Sequence, residues 1–169
     1  MIHYFQFYDL IFNLYHEFRH CDSLNHKKQL ITVDIFIYND KDEFILIKRK
    51  NEPYKDYWAL PGGYLDYGET VENGAVREAK EETNINVQLK KLFNVYSKLD
   101  RDPRGHTVTI VYLATGNFKN LKADDDAKDA KIFTKNDLSS IDLAFDHRII
   151  LNDILTSLKK INQQIDNDK

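Results

Sequence analysis

The sequence predicts a mixed α/β domain in which strands and helices do not alternate regularly. Two observations carry that reading. Apolar residues recur at three- or four-residue spacing in separated stretches, as on helices with one buried face. Between these lie short runs rich in β-branched and aromatic residues, bounded by Asn, Asp, Gly and Pro, as in strands that end in turns. In order they give helix, several strands, helix, strands, helix, a pattern that differs from repeated βαβ units. With 169 residues, 42% apolar and 12% aromatic, the chain can bury one ordinary core and is too short for two full domains.

Phe5, Tyr8, Phe12, Tyr15 and Phe18 mark an amphipathic N-terminal helix, and residues 22–29 form a polar connection. Residues 31–38 (ITVDIFIY) read as a strand, Asn39-Asp40 as its turn, and residues 43–50 (EFILIKRK) as the second arm of a hairpin. Residues 58–60 form a short strand halted by Pro61 and the pair Gly62-Gly63. Thr70 suits the N-cap of a helix over 70–83, with Glu72 placed favourably in its first turn. Residues 92–99 and 107–115 are two further strands joined by the polar loop DRDPRGH, and 131–134 is a short one. Asp146 suits the cap of a last helix with the apolar face Ile150, Ile154, Leu158 and Ile161. The expected organisation is an N-terminal helical extension over 1–29, one main domain over 30–165 and a polar tail over 166–169.

Composition excludes several classes of function. The 24 Lys+Arg against 27 Asp+Glu give a formal charge of −3, which offers nucleic acid no basic face. The one cysteine, Cys21, excludes an internal disulfide and a cysteine-built zinc cluster, and suits a reducing compartment. The N-terminal apolar stretch is interrupted by His3, Gln6, Asp9, Asn13, His16 and Glu17, so it neither spans a membrane nor reads as a signal peptide. A cytoplasmic protein without membrane or nucleic-acid partners is expected.

Chemistry concentrates in residues 63–85, GYLDYGETVENGAVREAKEETNI. On a helix, Glu78, Glu81 and Glu82 stand at i, i+3 and i+4 and share one face. Three carboxylates so placed repel one another. A hard divalent cation with oxygen ligands offsets that repulsion, and Mg²⁺ in such sites keeps waters and binds substrate phosphates. Arg77, four residues before Glu81, can orient a carboxylate by charge-assisted hydrogen bonds. Gly62-Gly63 lets backbone approach the same place, where a main-chain carbonyl can join the metal shell.

This stretch resembles the Nudix box, G-x5-E-x7-R-E-U-x-E-E-x-G-U with U apolar. Gly63, Glu69, Arg77, Glu78, Glu81, Glu82 and Ile85 stand in register, Ala79 is a small apolar residue, and Asn84 replaces the second glycine. Asn tolerates the left-handed conformation, so a helix C-cap survives there. Six specified letters in register, at about 6–7% each, coincide by chance in fewer than about one chain in ten thousand. That decides against a merely solvated Glu-rich face.

The resemblance implies an α/β/α sandwich around a mixed sheet and hydrolysis of a nucleoside diphosphate derivative by metal-activated water. It implies a metal set of Gly62, Glu78, Glu81 and Glu82 for Mg²⁺, with Mn²⁺ as a substitute. Arg77 and Glu81 are the expected catalytic residues, with Glu69 bracing Arg77. Residues 95–112, 124–133 and 144–151 resemble the ADP-ribose pyrophosphatase branch, which implies cleavage to AMP and ribose 5-phosphate. Arg101 and Arg104, on a loop with Asp100, Asp102 and His106, are the expected clamp for phosphate or ribose, and Arg49 a further substrate contact. Family members often place a base on a later loop. Asp126 matches best, with Asp125, Asp129 and His147 as rivals, and His147 reads better as a neighbour of the helix cap. Tyr57 and Trp58 read as core. Rival readings are another nucleotide substrate, such as a dinucleotide or nucleotide sugar, or a non-catalytic ADP-ribose sensor. Related regulators append a winged helix to their Nudix part, and no such appendage is expected after Lys169. A homodimer is expected, its contact drawn from the five aromatic residues of the first helix, since aromatics are enriched at interfaces.

Overall fold

A computed structural model describes residues 28–123 and 127–167, with side chains as far as 160. The expected N-terminal helix and Asp124 to Asp126 lie outside the described residues. At the centre is β1 (Leu30–Tyr38), whose pleat sends Val33, Ile35 and Ile37 to one side and Asp34 and Phe36 to the other. Residues 32–37 are all buried because both faces of the strand are covered.

Along its whole length β1 pairs in parallel with β6 (Thr107–Gly116), from Leu30 opposite Thr107 to Tyr38 opposite Thr115. Its other edge is shared. β4 (Gly62–Tyr64) lies antiparallel to it at Thr32, Val33 and Asp34, while β2 (Phe44–Arg49) touches it at Tyr38 opposite Phe44. The expected hairpin therefore opens directly after its turn, and β4 occupies the edge that β2 leaves. β2 continues with β7 (Ala127–Phe133) on one edge and β3 (Trp58–Ala59) on the other. β5 (Val87–Tyr96) completes the seven-stranded sheet against β6. It starts five residues before the expected 92, because register shifts at Leu89/Lys91 and Leu92/Asn94 break the two-residue alternation that marks a strand.

Two helices cover the two faces. α1 (Val71–Thr83) is capped by Thr70, whose hydroxyl accepts the Asn73 N–H at 3.2 Å, and ends at Asn84 in the left-handed conformation with φ 57°. The departure from glycine at Asn84 thus keeps the C-cap. Ala75 and Ala79 of α1 pack on Val33, Ile35, Ile37, Tyr112 and Ala114. On the opposite face, Ile150, Leu151 and Ile154 of α2 (His147–Asn167) pack on Phe36, Phe44, Leu46, Val111 and Leu113. The result is the α/β/α sandwich around a mixed sheet. Among the described residues no helix is long and apolar enough to cross a membrane.

Candidate active site

A cleft of about 410 Å³ opens at one end of the sheet, a size suited to a small-molecule ligand. Each side is supplied by a different element. β1 gives Thr32 and Asp34, β2 gives Arg49, and the β3–β4 segment gives Leu60, Gly62 and Gly63. α1 gives Arg77, Glu78, Glu81 and Glu82, the β5–β6 loop Arg101, Asp102 and Arg104, and the turn before α2 Phe145.

The acidic wall is organised by Arg77. Its Nε donates to Glu69 Oε1 and its Nη2 to Glu69 Oε2, both at 2.9 Å. Its Nη1 donates to Glu78 at 2.8 Å and to Glu81 at 3.0 Å, and Nη2 also reaches the Tyr64 carbonyl at 3.0 Å. These bonds, with Glu69 foremost, raise the Arg77 guanidinium above its ordinary value and hold Glu69 below its own. Glu82 is buried and accepts the Gly62 N–H at 2.8 Å. Burial, then the charges of Glu78 and Asp34, push Glu82 up to about 8 against the pull of that N–H. Burial also raises Glu78, with Glu81 and Glu69 adding to it and Arg77 opposing.

The glycines allow this approach. A Cβ on Gly63 would lie 2.5 Å from Glu78 Oε1, and one on Gly62, where φ is +157°, would collide with the Val33 carbonyl oxygen. Gly62-Gly63, read from sequence as the stop of a strand, is itself strand β4; its pairing to β1 carries α1's carboxylates to the sheet edge.

The donor set of carboxylate and carbonyl oxygens fits a hard divalent cation, which would relieve the burial and mutual repulsion that raise Glu78 and Glu82. Among the described residues no three acidic or histidine groups stand converged as a finished ligand set, since Glu78 and Glu81 turn to Arg77 and Glu82 to Gly62. Each of these bonds takes one carboxylate oxygen, Glu78 Oε1, Glu81 Oε2 and Glu82 Oε2, and a cation would be held through the other oxygen of each group.

On the basic wall the structure departs from two free loop arginines. Arg101 is buried and donates from Nε and Nη2 to both carboxylate oxygens of Asp146, at 3.0 and 2.8 Å. Asp146 precedes α2 as expected, but its carboxylate serves Arg101, and its backbone carbonyl takes the Ile149 and Ile150 N–H groups. Arg104 holds Asp102 with both Nε and Nη2 and lies between the rings of Tyr64 and Phe145, 5.1 and 5.2 Å from their centroids. Arg49 stands over Phe145 at 4.8 Å and donates Nε–H to the Pro53 carbonyl at 2.9 Å. Burial, with Arg104 as a neighbouring cation, lowers its affinity for the proton. His106 does not line the cleft; its Nε2 lies 3.3 Å from the Ser97 carbonyl oxygen. Asp126 and Asp125 fall outside the described residues, and Asp129 sits in β7 paired with Lys131 at 2.9 Å. His147 opens α2 with Nδ1 accepting the Leu60 N–H at 2.9 Å, and burial lowers its basicity. The partly buried Trp58 ring packs edge-on against Phe133 at 4.7 Å, whereas Tyr57 is exposed and not the core residue expected from sequence.

Sequence reasoning missed Asp34 and Phe145. Asp34 had a usable signal: a lone carboxylate within ITVDIFIY, on a strand otherwise built to be buried, is costly unless it is partnered. Phe145, at φ 51°, had none.

A mixed sheet faced by one helix on each side, with glycines, carboxylates and an arginine gathered at one end, is the architecture and site that the resemblance to the Nudix box implies. The chain belongs to the Nudix family, whose NUDIX domain pattern matches residues 28–154, and it is a Nudix pyrophosphohydrolase. It is 49% identical over 125 residues to the ADP-ribose pyrophosphatase of Methanocaldococcus jannaschii, covering 74% of this chain and 72% of that protein. A bifunctional NMN adenylyltransferase/ADP ribose pyrophosphatase from Francisella tularensis, solved with AMP and a Mn ion, superposes with a TM-score of 0.71 at 31% identity. That match covers 82% of this chain and 44% of that one. The NUDIX domain of Shewanella oneidensis NrtR, solved with ADP ribose, superposes with a TM-score of 0.69 at 27% identity, covering 84% and 98%.

Proposed function

We propose that this protein hydrolyses ADP-ribose to AMP and ribose 5-phosphate with Mg²⁺ held by Glu78, Glu81, Glu82 and the Gly62 carbonyl. The observation that carries the reading is the arrangement of Arg77, Glu78, Glu81 and Glu82 on one wall of a cleft, in a chain 49% identical to an ADP-ribose pyrophosphatase. A bound divalent cation would polarise the pyrophosphate and lower the pKa of its water. The chain's own residues do the rest. Arg77 orients Glu78 and Glu81 and opposes the rise that burial imposes on Glu78, and Glu81, the most exposed of the three carboxylates, can turn its second oxygen toward the attacking water. Asp126 remains the assignment for a base from the loop. Arg49 and Arg104 present guanidinium groups stacked on aromatic rings to the phosphates and ribose of the ligand.

Steady-state assays with ADP-ribose, dATP, a dinucleotide and a nucleotide sugar test the substrate. The reading expects kcat/KM highest for ADP-ribose; a tenfold preference for dATP or a dinucleotide overturns it. The same reading assigns a cytoplasmic homodimer joined through Phe5, Tyr8, Phe12, Tyr15 and Phe18. Light scattering should give twice the chain mass, and a monomer refutes that assembly.

A further inference from the structure

At the floor of the cleft Asp34, Arg101 and His147 belong to a buried polar network that the reaction described above leaves unused. Asp34, 7% exposed, accepts the Thr109 hydroxyl at 2.6 Å, and its Oδ1 is 3.6 Å from His147 Nε2. His147, 3% exposed, accepts the Leu60 N–H on Nδ1. Acceptance requires a bare Nδ1, so the neutral ring carries its proton on Nε2, on the side of Asp34. The turn that presents His147 is held in turn by Arg101, through the paired bonds to Asp146.

Leu60 leads directly to the metal-holding backbone. Its neighbour Pro61 offers its carbonyl to the Ile35 N–H at 2.8 Å, and Gly62 gives its N–H to Glu82. Three successive residues are thus fixed from three directions. The bond on Leu60 is made by a side chain 87 residues away in sequence, so it registers α2 against this segment.

We propose that His147 is a positioning residue for the metal-holding end of the cleft. Through the Leu60 N–H it fixes the Leu60-Pro61-Gly62 segment, and with it the Gly62 carbonyl and the Glu82 carboxylate; Arg101 and Asp146 set His147 itself. The proposal rests on the assignment of Gly62 and Glu82 to the metal. Groups that hold a ligand from behind are worth about 10- to 100-fold in metal affinity when removed.

Mn²⁺ binding to the metal-free full chain, followed by electron paramagnetic resonance, tests it with His147→Leu, His147→Asn and Glu82→Gln. His147→Leu should weaken Mn²⁺ binding by about 10- to 100-fold. His147→Asn retains an acceptor near the Nδ1 position and should stay close to wild type. Mn²⁺ affinity unchanged in His147→Leu, or lost equally in His147→Asn, overturns the proposal while Glu82→Gln still loses binding. Unchanged affinity in Glu82→Gln overturns the metal assignment and the proposal with it. Should His147→Leu fail to fold, nitrogen-15 spectra of the wild-type chain decide. A bare Nδ1, with ring and Leu60 amide signals that shift on adding Mg²⁺, is expected. A protonated Nδ1, or signals indifferent to Mg²⁺, contradicts it.

Discussion

Glu82 concentrates the site's electrostatics in one side chain. Buried beside Glu78 and Asp34, it has a pKa of about 8, above the roughly 4.3 of an unfolded glutamate. The folded state therefore holds this proton more tightly than the unfolded chain does. In the metal-free protein its stabilising contribution is complete below about pH 4.3 and is lost as pH rises toward about 8. A divalent cation competes with that proton, so apparent metal affinity should rise with pH, by up to about tenfold per unit, and level off above about pH 8. Titrating Mn²⁺ at several pH values checks this; a flat profile contradicts it, and Glu82→Gln should flatten it. The same variant keeps the shape of the protonated carboxyl, so the fold should persist while kcat drops by about 10² or more. Glu78→Gln should behave alike. Glu69→Gln should be milder, because Glu69 acts through Arg77, and steady-state rates with circular dichroism separate the cases.

At the level of elements, the junction between the β5–β6 loop and α2 rests on Arg101 and Asp146. Both side chains are largely buried, so removing one leaves the other charge unpaired in the interior. Arg101→Ala should therefore destabilise the protein by about 3–5 kcal/mol, read from urea unfolding. A variant with unchanged midpoint and only a higher KM would restore the loop clamp expected from sequence. The contrast shows what the sequence could convey. α1 was legible because cap, apolar spacing and carboxylates all lie within 15 residues and obey one helical period. In DRDPRGH the charges alternate, as on a solvated loop, and only the fold brings Asp146 to Arg101. β4 was illegible for a similar reason. Two glycines disfavour a strand and one tyrosine does not outweigh them, so it is the edge of β1 left open by β2 that makes them a strand.

Across the whole molecule, the cleft is built where six segments of the chain end on one side of the sheet, and sequence reveals these segments unequally. Glu78, Glu81, Glu82 and Arg77 announce themselves by spacing, whereas Asp34, Phe145 and the Leu60–His147 bond depend on contacts across the fold. The two faces of β1 hold the segments in place: Ile150 and Ile154 are each fully buried on the α2 face, worth about 1.5–3 kcal/mol apiece. The central claim is that this arrangement cleaves the pyrophosphate of ADP-ribose with the help of a divalent cation. Product analysis after incubation with ADP-ribose and Mg²⁺ tests it most directly. Equal amounts of AMP and ribose 5-phosphate, and no reaction once EDTA removes the metal, are the predicted result. Intact ADP-ribose, or hydrolysis that continues undiminished in EDTA, would contradict it.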